Sequence, residues 1–181
     1  YIGRSVPRPN LARLTQGRAQ YVSDVVLPRM AHVAFVRSPH AHAKIKSIDT
    51  AAAKTSPGVI AVVTGAEISK VLTPWVGVLT HLKCLKSAPK NAIAVDRACW
   101  AGEAVCAVVA RSRAEAEDGC ERVAVDYEEL PAVTDPETAL DPQTPVIHPS
   151  IADNLCFERV HTAGDPDKGF AEADAVVETT F

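Results

Sequence analysis

The sequence predicts one α/β domain of ordinary size, from about residue 20 to 131, with an irregular arm before it and an extended connector after it. Three observations carry that prediction. Short β-prone runs, Val59-Ile-Ala-Val-Val63 and Ala104-Val-Cys-Ala-Val-Val-Ala110, alternate with two capping-box tetrads, Thr64-Gly-Ala-Glu67 and Ser112-Arg-Ala-Glu115. Of the 181 residues, 47% are hydrophobic and 23% charged, enough to bury a core and too few charges for a disordered chain. Beyond Glu128, Pro131, Pro136, Pro142, Pro145 and Pro149 space the chain out as a wrapping segment would.

The elements follow in order. Residues 1–30 are polar and broken by Pro7, Pro9 and Pro28, an irregular arm with room for one helical turn. Ala31–Arg37 reads as a strand apolar on both faces. Ser38-Pro39 ends it, because the residue before proline is forced to extended geometry. Ala43–Ile48 alternates, with Lys44 and Lys46 on one side. Asp49 caps a short helix over 50–55, ended by Pro57-Gly58. Val59–Val63 is a buried strand, and Ile68, Val71 and Leu72 give the helix after it an apolar face. Residues 73–92 lack periodicity and read as a partner-facing loop. Strands return at Ile93–Trp100 and Ala104–Ala110. A helix with Ala116, Cys120 and Val123 on one face leads to a strand at Val123–Tyr127, so 104–127 reads as a right-handed β-α-β unit. Asp165-Pro166 opens a last helix, to about 173, burying Phe170 and Ala173. Ala175–Phe181 reads as a final strand with an open edge.

Net charge of −3, with 4 Phe, 3 Tyr and 2 Trp, offers neither the basic surplus nor the stacking platforms of a nucleic-acid binder. No apolar run is long enough for a membrane span and no signal peptide opens the chain, so the expected location is the cytoplasm. Cys84, Cys99, Cys106, Cys120 and Cys156 include no C-x-x-C pair and read as reduced thiols, not as a disulfide framework or a cluster site. A start at Tyr1 and a stop at Thr180-Phe181, inside an apolar run, point to a piece of something longer or to one chain of an assembly.

Candidate chemistry centres on Val36-Arg-Ser-Pro-His-Ala-His-Ala-Lys-Ile45. If this stretch is extended, His40 and His42 share a face. Two ligands do not make a stable zinc site, and His32, His81, His148 and Asp24 are the remaining candidates, with no spacing that brings them close. Gly58–Gly65 before a helix resembles a phosphate loop but lacks both glycine-rich fingerprints, leaving a turn and a cap as the reading. Glu103, at the mouth of a strand turn, becomes a general base only if a cleft raises its pKa and a nucleophile lies near. Asp126, Glu128 and Glu129 read as a solvated strand end. No G-x-S-x-G occurs. The residues alone therefore assign no catalytic, cofactor-binding or metal-ligating position.

The order of segments adds a resemblance. "YIGRSVPRPNLARLTQGRAQYVSD", "VRSPHAHAKIKSID", "PGVIAVVTG", "NAIAVDRACWAGEAVCAVVA" and "VDYEELPAV" together resemble the N-terminal part of the large subunit of molybdenum hydroxylases. That family includes xanthine dehydrogenase, aldehyde oxidase and aerobic carbon monoxide dehydrogenase, and the opening arm is most similar to the last. The resemblance implies an α/β hammerhead: a mixed sheet with short flanking helices, an N-terminal arm (1–19), the domain (20–131), a connector (132–165), and at 166–181 the start of a cofactor-binding domain. It implies that the full subunit holds molybdopterin, with iron–sulfur clusters and FAD on partner subunits or domains. Aldehydes, N-heterocycles or carbon monoxide are then oxidised with a water-derived oxygen. The family's cofactor loops and catalytic glutamate segment have no counterpart in these residues, so Glu103 is not assigned as a base. His40 and His42 fall in a hammerhead turn and are expected to be architectural. Two other expectations stay open: a stand-alone binding or assembly module, and a metal enzyme centred on the two histidines.

Overall fold

The structure, a computed structural model, describes residues 2–79, 82 and 84–179. His81, and Thr180 and Phe181 at the end of the expected last strand, lie outside the described residues. The chain forms two compact units, each assembled from separate segments.

The first unit contains the chain up to Val36, Asp49–Val62 and Ala107–Ala124. After a single helical turn α1 (Leu11–Thr15) come β1 (His32–Arg37), α2 (Ala51–Lys54), β3 (Val59–Thr64), β5 (Ala104–Ala110) and α4 (Arg113–Glu121), several of the strands crossing a unit boundary along the chain. The sheet runs β1-β5-β3. Its central strand is its core: Val105, Cys106, Val108 and Ala110 are fully buried. Both capping boxes form. Thr64 N–H and Oγ1–H donate to Glu67 at 2.8 and 2.9 Å, opening α3 (Gly65–Ile68). Ser112 Oγ accepts from Glu115 N–H and donates to its carboxylate. Gly119 sits mid-helix in α4, where a Cβ would lie 2.8 Å from Val108 Cγ1 and 3.0 Å from Val59 Cγ2. Its missing side chain lets α4 lie on β3 and β5.

The second unit contains Arg37–Ile48, Val63–Cys106 and the chain from Val125 onward. Its sheet runs β4-β2-β6, with β2 at Ala43–Asp49, β4 at Arg97–Ala98 and β6 at Ala124–Glu129. Ala43 pairs with Ala98 and Lys44 with Arg97, antiparallel. The loop after α3 closes on itself through a Trp75–Lys90 bridge, with N–H···O bonds of 2.8 and 2.9 Å. The connector is pinned by Asn154, whose amide donates to the Ala139 and Pro145 carbonyls at 3.0 Å each and accepts from Ile147 N–H at 3.1 Å. Lys86 adds a 2.7 Å pair with Asp153.

Several expectations need correction. The β-α-β unit does not form, because both edges of β5 are taken by β1 and β3, so β6 pairs in the other sheet. β1 is an edge strand and not buried on both faces: Val33 and Phe35 are exposed. Of Ile93–Trp100 only Arg97–Ala98 is strand; Ile93 and Ala94 are buried in a turn, which a run of apolar residues cannot distinguish from a strand. The last helix, α5, stops at Ala171 and leaves Phe170 exposed. Residues 175–179 are irregular, since an extended segment without a pairing edge is not a strand.

Candidate functional site

The polar groups singled out in the sequence come together in the second unit as two turns laced through their backbones. Ser38 N–H donates to the Glu103 carbonyl at 2.8 Å, and Gly102 N–H donates back to the Ser38 carbonyl at 2.8 Å. Arg37 Nη1 donates to the Gly102 carbonyl at 2.8 Å. Gly102 holds a positive φ of 87°, which makes the tight Trp100–Glu103 turn accessible. Ser38 Oγ closes the other turn, donating to the His40 carbonyl at 3.0 Å and accepting its N–H at 3.1 Å.

His40 and His42 do not act as a pair. His42 is buried, 4% exposed. Its Nδ1 lies 2.7 Å from the Pro131 carbonyl, which can only accept, so Nδ1 carries the proton. Nε2, 3.2 Å from Arg97 Nη1, is then the acceptor of a guanidinium N–H. Both ring nitrogens are thus committed to protein groups. The His42 carbonyl also accepts Leu130 N–H at 2.9 Å, joining β2 to the end of β6. His40 instead packs edge-on to Tyr127, ring centroids 5.0 Å apart, with Nδ1 3.6 Å from Glu129. Of the expected strand-end carboxylates, Glu128 pairs with Lys44 at 3.1 Å, and that hydrogen bond, then the lysine's charge, holds it below the usual carboxylate range.

Glu103 is 9% exposed. Burial pushes its carboxyl up, against the backbone N–H groups of Cys99 and Trp100 and the charge of Lys90, which pull it down. The Cys99 N–H donates to Oε2 at 2.6 Å. The carboxylate is therefore spent on closing its own turn. The nearest thiol, Cys99, is raised chiefly by burial and then by Glu103, the opposite of what activates a cysteine nucleophile. A cleft of about 300 Å³ runs past Lys90, Arg97, Trp100, Glu103 and His148. Lys90 Nζ sits 5.4 Å from the Trp100 ring centroid. Burial, then the charge of Lys90, holds His148 below its ordinary value. A second cleft of about 390 Å³ lies between the loop and the connector, lined by Lys86, Val133, Ile147, Ile151, Asn154 and Leu155.

The remaining sequence candidates lie elsewhere. Asp24 accepts the Tyr21 N–H at 2.9 Å in the arm, and His32 is in β1. Among the described residues no three His, Cys, Asp or Glu side chains come together. All five thiols are separate, Cys106 fully buried. The sequence pattern did not expose Arg97, Ser38, Tyr127 or the Pro131 carbonyl as partners of the histidines. Ser38 is two residues from His40, but Arg97, Tyr127 and Pro131 lie up to 89 residues away, and the β4-β2-β6 pairing brings them in.

Comparison with known proteins then gives the following. The family model described as "Aldehyde oxidase and xanthine dehydrogenase, a/b hammerhead domain" matches residues 16–131. The nicotine 6-hydroxylase large subunit of Paenarthrobacter nicotinovorans is 38% identical over 99% of this chain and 22% of its own length. The carbon monoxide dehydrogenase large chain of Afipia carboxidovorans is 41% identical over 79% of this chain and 17% of its own. Quinoline 2-oxidoreductase from Pseudomonas putida 86 superimposes with a TM-score of 0.82 at 38% identity, over 97% of this chain and 22% of that one. The chain thus spans about a fifth of the length of the curated relatives it matches.

Proposed function

This chain belongs to the aldehyde oxidase and xanthine dehydrogenase family of a/b hammerhead domains, and from that premise we propose that it is the N-terminal scaffold of a molybdenum hydroxylase large subunit. In this reading it performs no chemistry itself. It frames the domains that hold molybdopterin, within a cytoplasmic complex whose iron–sulfur and flavin groups sit on partner subunits or domains. The arm occupies 1–19, the hammerhead 20–131 and the connector 132–165, with the next domain starting near 166. The whole complex oxidises an aldehyde, an N-heterocycle or carbon monoxide with oxygen taken from water.

The observation that carries the reading is how the candidate groups are used. Both nitrogens of His42 and the Glu103 carboxylate are committed to this chain's own groups. A pterin–molybdenum centre needs free donors around it, and these residues do not fit that need. They fit an architectural role: a buried polar network that fixes one arrangement of the turns.

The test is reconstitution. The chain is mixed with the remainder of a large subunit and its partner subunits, and association and molybdenum-dependent hydroxylation are measured. Association with recovered turnover is expected; a well-folded chain that fails to associate overturns the reading. The partly apolar 390 Å³ cleft between loop and connector favours the second reading, a stand-alone binding module. A thermal shift of the chain alone with a small apolar ligand, abolished by Ile151→Asp, would favour that module.

A further inference from the structure

Between Leu130 and Cys156 the chain has no helix or strand, and no residue is buried. Such a stretch is expected to be loose, because every residue it orders loses backbone entropy. Yet it is bonded to itself. Asn154 commits both amide donors and its acceptor oxygen to it: Nδ2 donates to the Ala139 and Pro145 carbonyls at 3.0 Å each, and Oδ1 accepts the Ile147 N–H at 3.1 Å. Short turns fill the space between. Asp141 N–H donates to the Thr138 carbonyl at 3.1 Å, Thr144 N–H to the Asp141 carbonyl at 2.9 Å and Ile151 N–H to the His148 carbonyl at 2.9 Å. Thr144 Oγ1 donates to the Thr138 carbonyl at 2.6 Å.

What ties the stretch to the rest of the second unit lies at its ends. Leu130 N–H donates to the His42 carbonyl at 2.9 Å, and Lys86 N–H to the Cys156 carbonyl at 2.8 Å. The Lys86–Asp153 pair, 2.7 Å long, stands beside the second of these. Between the ends, Val133, Ile147, Ile151 and Leu155 face Lys86 and Ala88 across the cleft of about 390 Å³, so the apolar packing there is incomplete. A loop organised by its own side chain, held at its ends and packed only partly on its neighbour opens as one piece, at less cost than the fold as a whole.

We propose that residues 138–155 form a latch, keyed by the Asn154 side chain, that opens and closes as one unit over this cleft. Closed, the latch supplies one wall of the cleft and sets the course of the chain from Pro131 to Cys156. Open, it takes that wall away. Asn154 is a positioning residue, and its amide is chemically specific: an aspartate there could still accept the Ile147 N–H but could donate to neither carbonyl. Every bond involved is made within the chain, so the latch does not rest on the scaffold reading and requires no ligand in the cleft.

The test is amide hydrogen exchange on the 181-residue chain, followed residue by residue by NMR. Thr144, Ile151 and Leu155 are the reporters, because their acceptors, the Asp141 and His148 carbonyls and the Asp153 carboxylate, survive a change at Asn154. Ile45 and Ala94, bonded to the Asp96 and Ala104 carbonyls, report on the rest of the unit. In the parent the three reporters should share one degree of protection, below that of Ile45 and Ala94. Asn154→Ala should speed all three together by about a hundredfold, since three bonds are lost, and leave Ile45 and Ala94 unchanged. Asn154→Asp, which keeps one of the three, should give the same pattern at about tenfold. Acceleration at Ile147 alone, whose acceptor is Asn154 itself, overturns the proposal, because Asn154 would then make only a local bond. So does a parent whose reporters exchange independently or without protection. Equal acceleration of Ile45 and Ala94, or unfolding of both variants, overturns it too, because the latch would then be no separate unit.

Discussion

The laced turns of the second unit and the N-terminal arm use similar residues to opposite ends. Both ring nitrogens of His42 and the Glu103 carboxylate have partners within the chain, and the apolar residues beside them, Ala43, Ala94, Ala98 and Val105, are buried. In the arm, arginines and large aliphatic side chains stand in solvent and nothing is buried. The contrast supports an architectural role for the buried polar groups and gives no such role to the exposed ones of the arm. Reading both as candidate active-site material would misplace the function.

The largest expected effect falls on the helix–sheet packing of the first unit. Gly119→Val pushes a branched side chain into Val108 and Val59; a loss of about 3 kcal/mol is expected by urea unfolding. The same substitution at Gly169, which has open space around it and no positive φ, should cost far less.

Next comes the histidine pair. His42→Ala empties the place of a buried imidazole and removes its hydrogen bonds to the Pro131 carbonyl and the half-buried Arg97, and a loss of about 2 kcal/mol is expected in denaturant titrations. His40→Ala removes one ring contact and a 3.6 Å contact with an exposed glutamate, and should change stability by about 0.5 kcal/mol or less. Equal losses at both positions would show that the two imidazoles work as a unit, contrary to the geometry.

Glu103 sharpens the comparison through pH. Burial raises its folded-state pKa above the unfolded one, so the folded chain holds that proton more tightly. Its contribution is therefore full below the ordinary carboxylate range and declines as pH rises through the raised value. Glu103→Gln, which can still accept the Cys99 and Trp100 N–H groups, should flatten that decline in unfolding measured from acid to neutral pH. An unchanged pH slope would mean that burial at Glu103 is relieved by water. The smallest effect belongs to the arm. Arg8→Ala or Val6→Ser should leave the unfolding midpoint of the chain within about 0.5 kcal/mol of the parent.

Much of the fold was legible because it is written in local signals. Both capping boxes, the buried β5 run, the α4 face and the Pro-rich connector are short-range patterns with a single physical reading. Pairing was not legible. Nothing in Val123–Tyr127 says that both edges of β5 are already occupied, and nothing in Ile93–Ala94 says that a buried apolar pair sits in a turn. The same limit applies to the histidines. Their spacing shows that they could share a face, but Arg97 and Pro131, which fix the role of His42, are brought to it only by long-range strand pairing.

The central claim, that His42 and the Glu103 carboxylate serve the chain's own architecture and are not donors to a molybdenum centre, is tested most directly by what the chain retains. It would be produced in cells making the cofactor, passed through gel filtration, and analysed for molybdenum and pterin in the protein peak. The account predicts background levels of both in a fully folded chain. Stoichiometric pterin or molybdenum co-eluting with it, or turnover of an oxidisable substrate by the chain alone, would contradict the account.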